Sequence, residues 1–259
     1  MHVLNKEQKI AQAAAISAGK LIKRRLGKIS RIHFKGAINI VTDVDKRAEK
    51  LIIKKLKNEF PDYGILAEES IPEEKGTCKW IIDPLDGTTN FAHGFPFFAV
   101  SIALEKNRET VLGVVYEPLR EELFIALKGE GAFLNKKRIY VSKVKDIEKS
   151  FLATGFSYSF KHKKNNNINN FKKFLMASLA LRRAGSACLD LCYVACGRFD
   201  GFWELDLFPW DMAAGALIVQ EAGGKITECS GSKFNNYSKS ILASNGKIHK
   251  AMLKVVDKK

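Results

Sequence analysis

Two aspartates in the segment WIIDPLDGTTNF have the types and spacing of ligands for a divalent cation. The apolar run at residues 80–83 predicts a strand that delivers Asp83 to its carboxyl end, where Pro84 interrupts it, and Asp86 follows. Two carboxylates held this close repel each other unless a cation lies between them, and Mg²⁺ prefers oxygen ligands of this kind. The carbonyl of Leu85, between the two, is a further oxygen donor. The segment therefore predicts a dication site at a strand end.

The residues after Asp86 have the character of an anion site. Gly87 allows close approach of the backbone, and Thr88 and Thr89 can cap a helix whose free N–H groups point outward, an arrangement that binds phosphate. An anion site beside a dication site is the minimum apparatus for phosphoryl chemistry. Taken alone, the same segment also fits a capped surface turn or a Ca²⁺ loop.

Further acids lie at the ends of other apolar runs. The segment AEES puts Glu68 and Glu69 at a second strand end, and PWDMAAGA places Asp211 in the first turn of a helix. An acid at that position usually complements the helix dipole. Because Asp211 and Glu68 join the first two aspartates at element ends in a basic chain, we expect a single acidic site.

The elements that must position these residues alternate along the chain. This alternation predicts a layered α+β or α/β architecture, with one domain over residues 1–259 in two halves of about 1–148 and 149–259. Helices are predicted at residues 4–27, 45–60, 170–180, 189–197, 212–222 and 248–256. Strands are predicted at residues 64–67, 80–83, 151–155, 199–205, 225–228 and 240–245, with successive antiparallel strands over 97–140. The Asn-rich stretch 157–170 is interpreted as a mobile surface loop with no packed role.

Composition sets the range of partners. The net charge of +15 implies attraction for anions such as phosphorylated metabolites, nucleic acid or acidic lipid, although basic residues spread along the chain also fit a solvated surface. A hydrophobic content of 46% excludes wholesale disorder. No apolar run approaches the roughly 18 residues of a bilayer span, and the charged N-terminal segment has no apolar signal core. We therefore expect a cytoplasmic protein without a membrane partner.

Several other chemistries are excluded by the motifs present. Cys188, Cys192 and Cys196 recur at helical spacing and are predicted to be buried thiols, without a disulfide framework or a metal cluster. GEGAFL lacks the third glycine of a dinucleotide fingerprint, and GGKIT lacks the remainder of a P-loop. Neither G-x-S-x-G nor H-E-x-x-H occurs. Oxidoreductase, NTPase, serine hydrolase and zinc protease functions are therefore not expected.

WIIDPLDGTTNF, PWDMAAG and AEES together resemble the inositol monophosphatase family of Mg²⁺-dependent, Li⁺-sensitive sugar phosphatases. The resemblance extends from about residue 35 to residue 224, and residues 182–204 are most similar to the bacterial branch. It implies an αβαβα sandwich, a homodimer, and two or three Mg²⁺ ions per active site. The short segment 70–78 leaves the metal stoichiometry and Li⁺ sensitivity open.

The resemblance also implies roles for individual residues. The implied metal ligands are Glu68, Asp83, the Leu85 carbonyl, Asp86 and Asp211, with Asp83 bridging two ions. The implied catalytic residues are Glu68, Thr88, Asp45 and Asp83, in which Thr88 pairs with Asp45 and helps Glu68 orient and deprotonate the attacking water. The implied substrate contacts are Lys35, Asp86, Gly87, Thr88, Thr89, Arg182, Gly185, Ser186, Ala187, Glu204 and Asp211. Of the adjacent arginines, Arg182 rather than Arg183 is assigned to the substrate.

The chemistry agrees with the resemblance. A phosphate monoester dianion repels hydroxide and has a poor alkoxide leaving group, so metal activation of water and stabilisation of the leaving oxygen are needed. We therefore expect a Mg²⁺-dependent phosphomonoester hydrolase acting on inositol 1-phosphate or a similar small, anionic sugar phosphate. Fructose 1,6-bisphosphate stays open as a substrate, alone or with inositol phosphate. From a different class of function, the alternative is a binding partner of nucleic acid or of a transcription complex.

Overall fold

Helices and mixed sheets alternate in a computed structural model that describes residues 5–28, 32–34, 40–158, 160–164 and 166–256. The α-helices in these ranges are α1 Asn5–Arg25, α2 Asp43–Glu59, α3 Thr88–Ala92, α4 Ile168–Ala177, α5 Ala187–Ala195, α6 Pro209–Glu221 and α7 His249–Val255. The strands are β1 Ile32–Phe34, β2 Ile40–Thr42, β3 Gly64–Ala67, β4 Cys78–Asp86, β5 Ala99–Lys106, β6 Glu109–Glu117, β7 Glu122–Leu127, β8 Gly131–Leu134, β9 Lys137–Arg138, β10 Phe151–Thr154, β11 Ala180–Arg182, β12 Gly201–Leu205, β13 Lys225–Thr227 and β14 Ser240–Ser244.

The strands form two large sheets and a two-stranded one. The larger sheet follows chain order from β3 to β9; β3 is parallel to β4, and the following pairs are antiparallel. The five-stranded sheet has the order β11-β10-β12-β14-β13 and begins with two parallel pairs. The strands β1 and β2 pair antiparallel with each other.

Side chains that point alternately to the two faces of each sheet pack against three layers of helices. On β4, Trp80 and Ile82 are buried in the cluster that contains α1 and α2, whereas Ile81 is buried with α5 and α6. On the far side of the five-stranded sheet, the ring of Trp203 stacks on Phe174 of α4 at 3.9 Å. The order is therefore helices, sheet, helices, sheet, helices, which confirms the predicted αβαβα sandwich.

Helix α2 begins two residues before the predicted start because a capping box sets its first turn. The hydroxyl of Thr42 accepts a hydrogen bond from the Val44 N–H at 3.2 Å, and Asp45 Oδ2 accepts one from the Thr42 N–H at 2.8 Å. Ala48 and Ile52 follow at helical spacing and are fully buried. The buried side of α2 also carries two carboxylates one turn apart, those of Asp45 and Glu49.

Strand β4 does not end at Pro84, contrary to the prediction. Asp83 lies opposite Ser101 and Asp86 opposite Ala99, so two β4 residues face a single β5 residue between these pairs. This is a β-bulge, which accommodates the proline and lets the strand continue. Because Ser101 and Ala99 are two residues apart on β5, the bulge places Asp83 and Asp86 on the same face of the sheet.

The stretch at residues 157–170 has a packed role, so its interpretation as a surface loop without one is wrong. Asn167 is 3% exposed and adopts a left-handed backbone with φ of 68°, which asparagine tolerates. Its Nδ2 donates to the Gly155 carbonyl at 2.8 Å and to Thr154 Oγ1 at 3.0 Å, and its Oδ1 accepts from Trp203 Nε1 at 2.8 Å. Helix α4 then begins within the stretch.

Two expectations from composition can be compared with the structure. All five cysteines are free thiols, with Cys188 and Cys192 buried and Cys196 half-buried, as predicted. Burial raises the thiol pKa of Cys188 well above its ordinary value. In the described part of the chain, no helix has both the length and the apolarity that crossing a bilayer requires.

Candidate active site

Four acids carried by three parts of the chain lie near one another at one edge of the larger sheet. Glu68 directly follows β3, Asp83 and Asp86 lie on β4, and Asp211 lies in the first turn of α6. Burial, followed by the negative charge of Glu68, raises the pKa of Asp83 well above its ordinary value. Asp86 and Asp211 add to this repulsion. The structure thus brings together the four acids that the sequence singled out.

The Asp86 carboxylate is fixed by the segment that begins α5. Its Oδ2 accepts hydrogen bonds from Ser186 Oγ at 2.8 Å and from the Cys188 N–H at 2.7 Å. The Ala187 N–H also reaches this carboxylate, and in the described ranges no hydrogen bond of ordinary geometry ends on its Oδ1. Burial raises the Asp86 pKa, although these donors oppose the shift. One oxygen is therefore held by the protein, and the other is left for an external ligand.

Asp83 and Asp211 follow the same pattern. Asp83 Oδ1 accepts from the Leu85 N–H at 2.9 Å, and Asp211 Oδ2 accepts at 2.8 Å from the N–H of Phe208, the N-cap residue of α6. In the described ranges, the second oxygen of each carboxylate has no hydrogen-bond donor. Burial raises the Asp211 pKa well above its ordinary value, and the charge of Asp86 raises it further.

The donor set fits a hard dication. Its side chains are all carboxylates, and within the described residues no lysine or arginine forms an ion pair with Asp83, Asp86 or Asp211. Carboxylate and carbonyl oxygens are the ligands that Mg²⁺ prefers, and a dication would relieve the mutual repulsion. Across the same ranges, no three acid, histidine or cysteine side chains already converge as a preassembled ligand set. The site therefore has the donor chemistry of a metal site, without a fully assembled ligand set among the described residues.

A hydroxyl–carboxylate pair lies beside the acids. Thr88 Oγ1 is 2.8 Å from Asp45 Oδ1 and 2.9 Å from the Leu85 carbonyl oxygen. A hydroxyl has one proton, so Thr88 donates to only one of these acceptors at a time. Burial raises the Asp45 pKa, and hydrogen bonds from Thr42 counteract that rise. The pairing of Thr88 with Asp45 that the resemblance implied is thus present as a hydrogen bond.

The predicted capping role of the threonines is wrong. The N-cap of α3 is Gly87, with φ of 91°, and no side chain caps this helix. Thr88 is instead its first helical residue, and its hydroxyl is bound to Asp45 and Leu85. A Cβ on Gly87 would lie 2.9 Å from the Phe97 carbonyl oxygen, so both the left-handed backbone and the close contact require glycine.

The predicted substrate contacts of the second half of the chain lie near the same acids. Ser186 bonds Asp86 directly, and Ala187 begins α5 beside it. Glu204 is buried on β12, and burial raises its pKa to about 8 even though the positive charge of Arg183 opposes the shift. Lys35 lies outside the described residues.

The two adjacent arginines have different surroundings. The Arg182 guanidinium lies over the Phe151 ring, 4.8 Å from its centroid. That of Arg183 lies against Gly185, where an added Cβ would meet its Nη1 at 3.0 Å, and its charge acts on Glu204. Of the two, Arg183 is the arginine whose charge acts on Glu204, and the assignment of Arg182 to the substrate stays a prediction.

Sequence reasoning missed two further residues near the acids. Asp190 of α5 is 1% exposed, and neither of its carboxylate oxygens has a hydrogen-bond partner among the described residues. Burial, then the charge of Glu204, raises its pKa well above the ordinary value. Tyr158 lies near Thr89 and is 45% exposed, and partial desolvation of its phenol raises the tyrosine pKa to about 12. The position of Asp190 inside the apolar run LDLCYV could have identified it from the sequence. Nothing in the polar stretch 157–170 distinguishes Tyr158.

The chain belongs to the inositol monophosphatase family, whose model matches residues 4–259. The predicted family, layered fold and enzyme class are thereby confirmed: the protein is an enzyme of a phosphomonoesterase family.

Three individual relatives illustrate the match. "Inositol-1-monophosphatase" of Synechocystis is 45% identical over 246 residues, which cover 94% of this chain and 86% of that protein. "Nus factor SuhB" of Escherichia coli K12 is 44% identical over 249 residues, covering 94% and 93%. The solved inositol monophosphatase from Anabaena superimposes with a TM-score of 0.90 at 38% identity, covering 97% of this chain and 95% of that one.

Proposed function

We propose that the protein is a Mg²⁺-dependent phosphomonoester hydrolase that acts on inositol 1-phosphate or a similar small sugar phosphate. The observation that carries the proposal is a group of four acids, of which Asp83 and Asp86 are buried; three of the four have one oxygen held by the protein and the other oxygen without a donor among the described residues. The relative from Synechocystis named inositol-1-monophosphatase supports the choice of substrate.

Glu68, Asp83, the Leu85 carbonyl, Asp86 and Asp211 would hold the metal. Bound there, Mg²⁺ supplies an activated water and stabilises the oxygen that leaves. Backbone N–H groups of the surrounding protein hold the carboxylates in position. A backbone donor cannot rotate away as a side-chain donor can. This rigidity is what positioning a nucleophile within reach of phosphorus requires.

Thr88 and Asp45 would handle the proton of the attacking water. When Thr88 Oγ1 donates to Asp45 Oδ1, its lone pairs can accept a hydrogen bond from a water, which orients that water. As the water attacks, its proton passes to Thr88 Oγ1 while the hydroxyl proton moves to Asp45 Oδ1. The raised pKa of Asp45 makes this carboxylate a better proton acceptor than an exposed aspartate.

The remaining residues would bind the ester. The N–H groups of Gly87 and Thr88 face the phosphate, and Ser186 and Ala187 line the sugar side. With a pKa of about 8, Glu204 is mostly protonated at neutral pH, so it can donate to a sugar hydroxyl as well as accept from one. Arg183 supplies a cation at the same edge, which also suits a second phosphate, so fructose 1,6-bisphosphate is the alternative substrate.

Phosphate release tests the proposal. Wild-type protein is assayed on inositol 1-phosphate, fructose 1,6-bisphosphate and 3′-phosphoadenosine 5′-phosphate, with Mg²⁺ and with EDTA, beside the Asp83→Asn variant. We expect Mg²⁺-dependent release from at least inositol 1-phosphate, and a loss of about 10³-fold in turnover for Asp83→Asn, the scale on which removal of a charge-stabilising group acts.

Two results would count against the phosphatase proposal. One is the absence of release from every ester by protein that melts cooperatively. The other is retained turnover in Asp83→Asn with an unchanged melting curve. The order of the three esters identifies the substrate class.

A second candidate function rests on a different observation. Relatives at 41–45% identity carry the name Nus factor SuhB, which hints at a transcription-associated role, and this chain has a net charge of +15. Binding to nucleic acid or to a transcription complex would use the basic surface and would not require the acidic site. It is therefore compatible with the phosphatase activity.

A further inference from the structure

Glu49 is a buried acid that stands outside the proposed ligand set and yet holds the segment that carries Glu68. It lies on α2 and is 3% exposed. Its Oε2 accepts a hydrogen bond from the Glu69 N–H at 2.8 Å, and its Oε1 accepts one from Ser70 Oγ. Both donors come from the two residues that directly follow Glu68 in the chain.

These contacts lie where the chain leaves the sheet. The Glu68 N–H still bonds the Ile82 carbonyl, at 3.3 Å, which extends the pairing of β3 with β4 by one residue. From Ser70 onward the chain is exposed through residue 77. It returns to the sheet edge where Glu73 exchanges backbone hydrogen bonds with Ile65. Glu49 thus holds the boundary between the buried strand and the exposed turn.

The anchoring helix is itself firmly fixed. Helix α2 packs Val44, Ala48 and Ile52 into the core with α1, and a capping box fixes its first turn. One turn before Glu49, Asp45 on the same helix bonds Thr88. A single rigid face therefore holds both the hydroxyl of the proposed proton path and the chain segment of a proposed metal ligand.

Glu49 is an expensive residue to bury if it served packing alone. Among the described residues it has no ion pair, and two hydrogen-bond donors there compensate its charge. Its carboxylate geometry satisfies two donors at adjacent residues at once, which fixes the direction in which the chain departs after Glu68. Residues that orient a metal ligand in this way commonly tune metal affinity by 10–100-fold.

We propose that Glu49 is a positioning residue that sets the place of the Glu68 carboxylate and thereby the affinity of the site for Mg²⁺. The inference rests on the proposed function, because it takes Glu68 to be a metal ligand. Glu49 itself touches neither the ester nor the reacting atoms.

The experiment compares variants at Glu49 with a matched buried acid, Glu105, on β5 opposite the start of β4. Glu49→Ala removes the acceptor, Glu49→Asp withdraws it by one methylene while keeping the charge, and Glu49→Gln keeps an oxygen for the Glu69 N–H. Glu105→Ala is the control, because Glu105 is also 3% exposed and accepts from Asn236 Nδ2 at 2.8 Å and Tyr237 Oη at 2.9 Å.

Mg²⁺ affinity is measured by titration calorimetry without substrate, and backbone amide exchange is followed over residues 64–73 by mass spectrometry. We expect Glu49→Ala and Glu49→Asp to weaken Mg²⁺ binding by about tenfold or more and to accelerate exchange at residues 69 and 70. Glu49→Gln should stay within about threefold of wild type. Glu105→Ala should leave Mg²⁺ affinity unchanged.

The outcomes separate this inference from the function on which it rests. If wild type binds Mg²⁺ and releases phosphate while the folded Glu49 variants bind Mg²⁺ like the Glu105 control, the positioning role is overturned and the phosphatase stands. If wild type neither binds Mg²⁺ nor releases phosphate, the proposed function fails and the inference fails with it. Should Glu49→Ala not fold, Glu49→Asp, which preserves burial and charge, decides between these results.

Discussion

For two adjacent arginines, the direction of the side chain determines which of them can contact the substrate. Arg182 ends β11 and lies over the Phe151 ring, whereas Arg183 lies against Gly185 and acts on Glu204. Successive side chains of an extended chain point to opposite sides, so only one of the pair can face the acids. Residue type alone gives no reason to prefer either one.

Substitution of each arginine separates them. We expect Arg183→Ala to raise the KM for the sugar phosphate by about tenfold with kcat within about twofold, because a hydrogen bond to a charged group is worth about 1.5–3 kcal/mol. Arg182→Ala, which removes a cation from an aromatic ring, should change KM by less than about twofold. Steady-state kinetics on the two variants measure both effects. A larger rise in KM for Arg182→Ala would support the assignment made from the sequence.

At the scale of elements, Asn167 joins three of them. It precedes α4, and its amide reaches the end of β10 and the indole of Trp203 on β12. The indole in turn stacks on Phe174 of α4, so the outer helix layer is fixed to the five-stranded sheet partly through one side chain.

Removing that amide leaves buried groups without partners. We expect Asn167→Ala to lower the free energy of unfolding by about 2–3 kcal/mol, since an unsatisfied buried donor or acceptor costs about 1–3 kcal/mol. Asn169→Ala, an exposed position in the same helix, should change it by less than about 0.5 kcal/mol. Urea titrations with a common m-value provide the comparison. Equal midpoints for the two variants would show that Asn167 has no structural role.

For the molecule as a whole, the charge distribution is uneven. A chain with a net charge of +15 concentrates buried acids at one edge of a sheet, while its basic residues are spread over helices and turns. The acids at the sheet edge suit a small metal-bound ester. The widely spread basic residues suit an extended polyanion. The two proposed functions therefore belong to different surfaces.

Generic RNA tests the basic surface. If it binds nucleic acid, we expect a dissociation constant that weakens by about tenfold or more between roughly 50 and 200 mM salt, as counterion release at a few phosphates requires. Asp83→Asn should bind RNA as wild type does, because Asp83 is only 2% exposed. Electrophoretic or anisotropy titrations measure this. No binding at low salt removes the nucleic-acid candidate and leaves the phosphatase proposal untouched.

The sequence predicted the layers and the four acids for a local reason. Apolar runs mark the strands and helices that form the core, and a polar residue at the end of such a run must lie at the edge of that core. This rule identifies the four acids in the sequence, Glu68, Asp83, Asp86 and Asp211. The apolar pattern likewise predicts the burial of Cys188.

What the sequence did not predict depends on contacts between distant segments. The edge strand β11 forms because one edge of β10 is available for pairing with it. The three residues of β11 themselves show little of the alternation that is typical of a strand. The role of Asn167 depends on an indole 36 residues away, and that of Glu49 on a strand end 20 residues away. Such partners become visible only once the layers are assembled, because no local period records them.

The bulge in β4 affects how this site would be mapped experimentally. Because the bulge frees Leu85 from regular pairing, its carbonyl oxygen accepts a hydrogen bond from the Thr88 hydroxyl, although the Leu85 side chain is 1% exposed and lies in the core. An alanine scan would therefore score position 85 as a core packing residue and overlook its oxygen. Only a change to the main chain itself, such as an amide-to-ester replacement, alters that atom and leaves the leucine side chain in place.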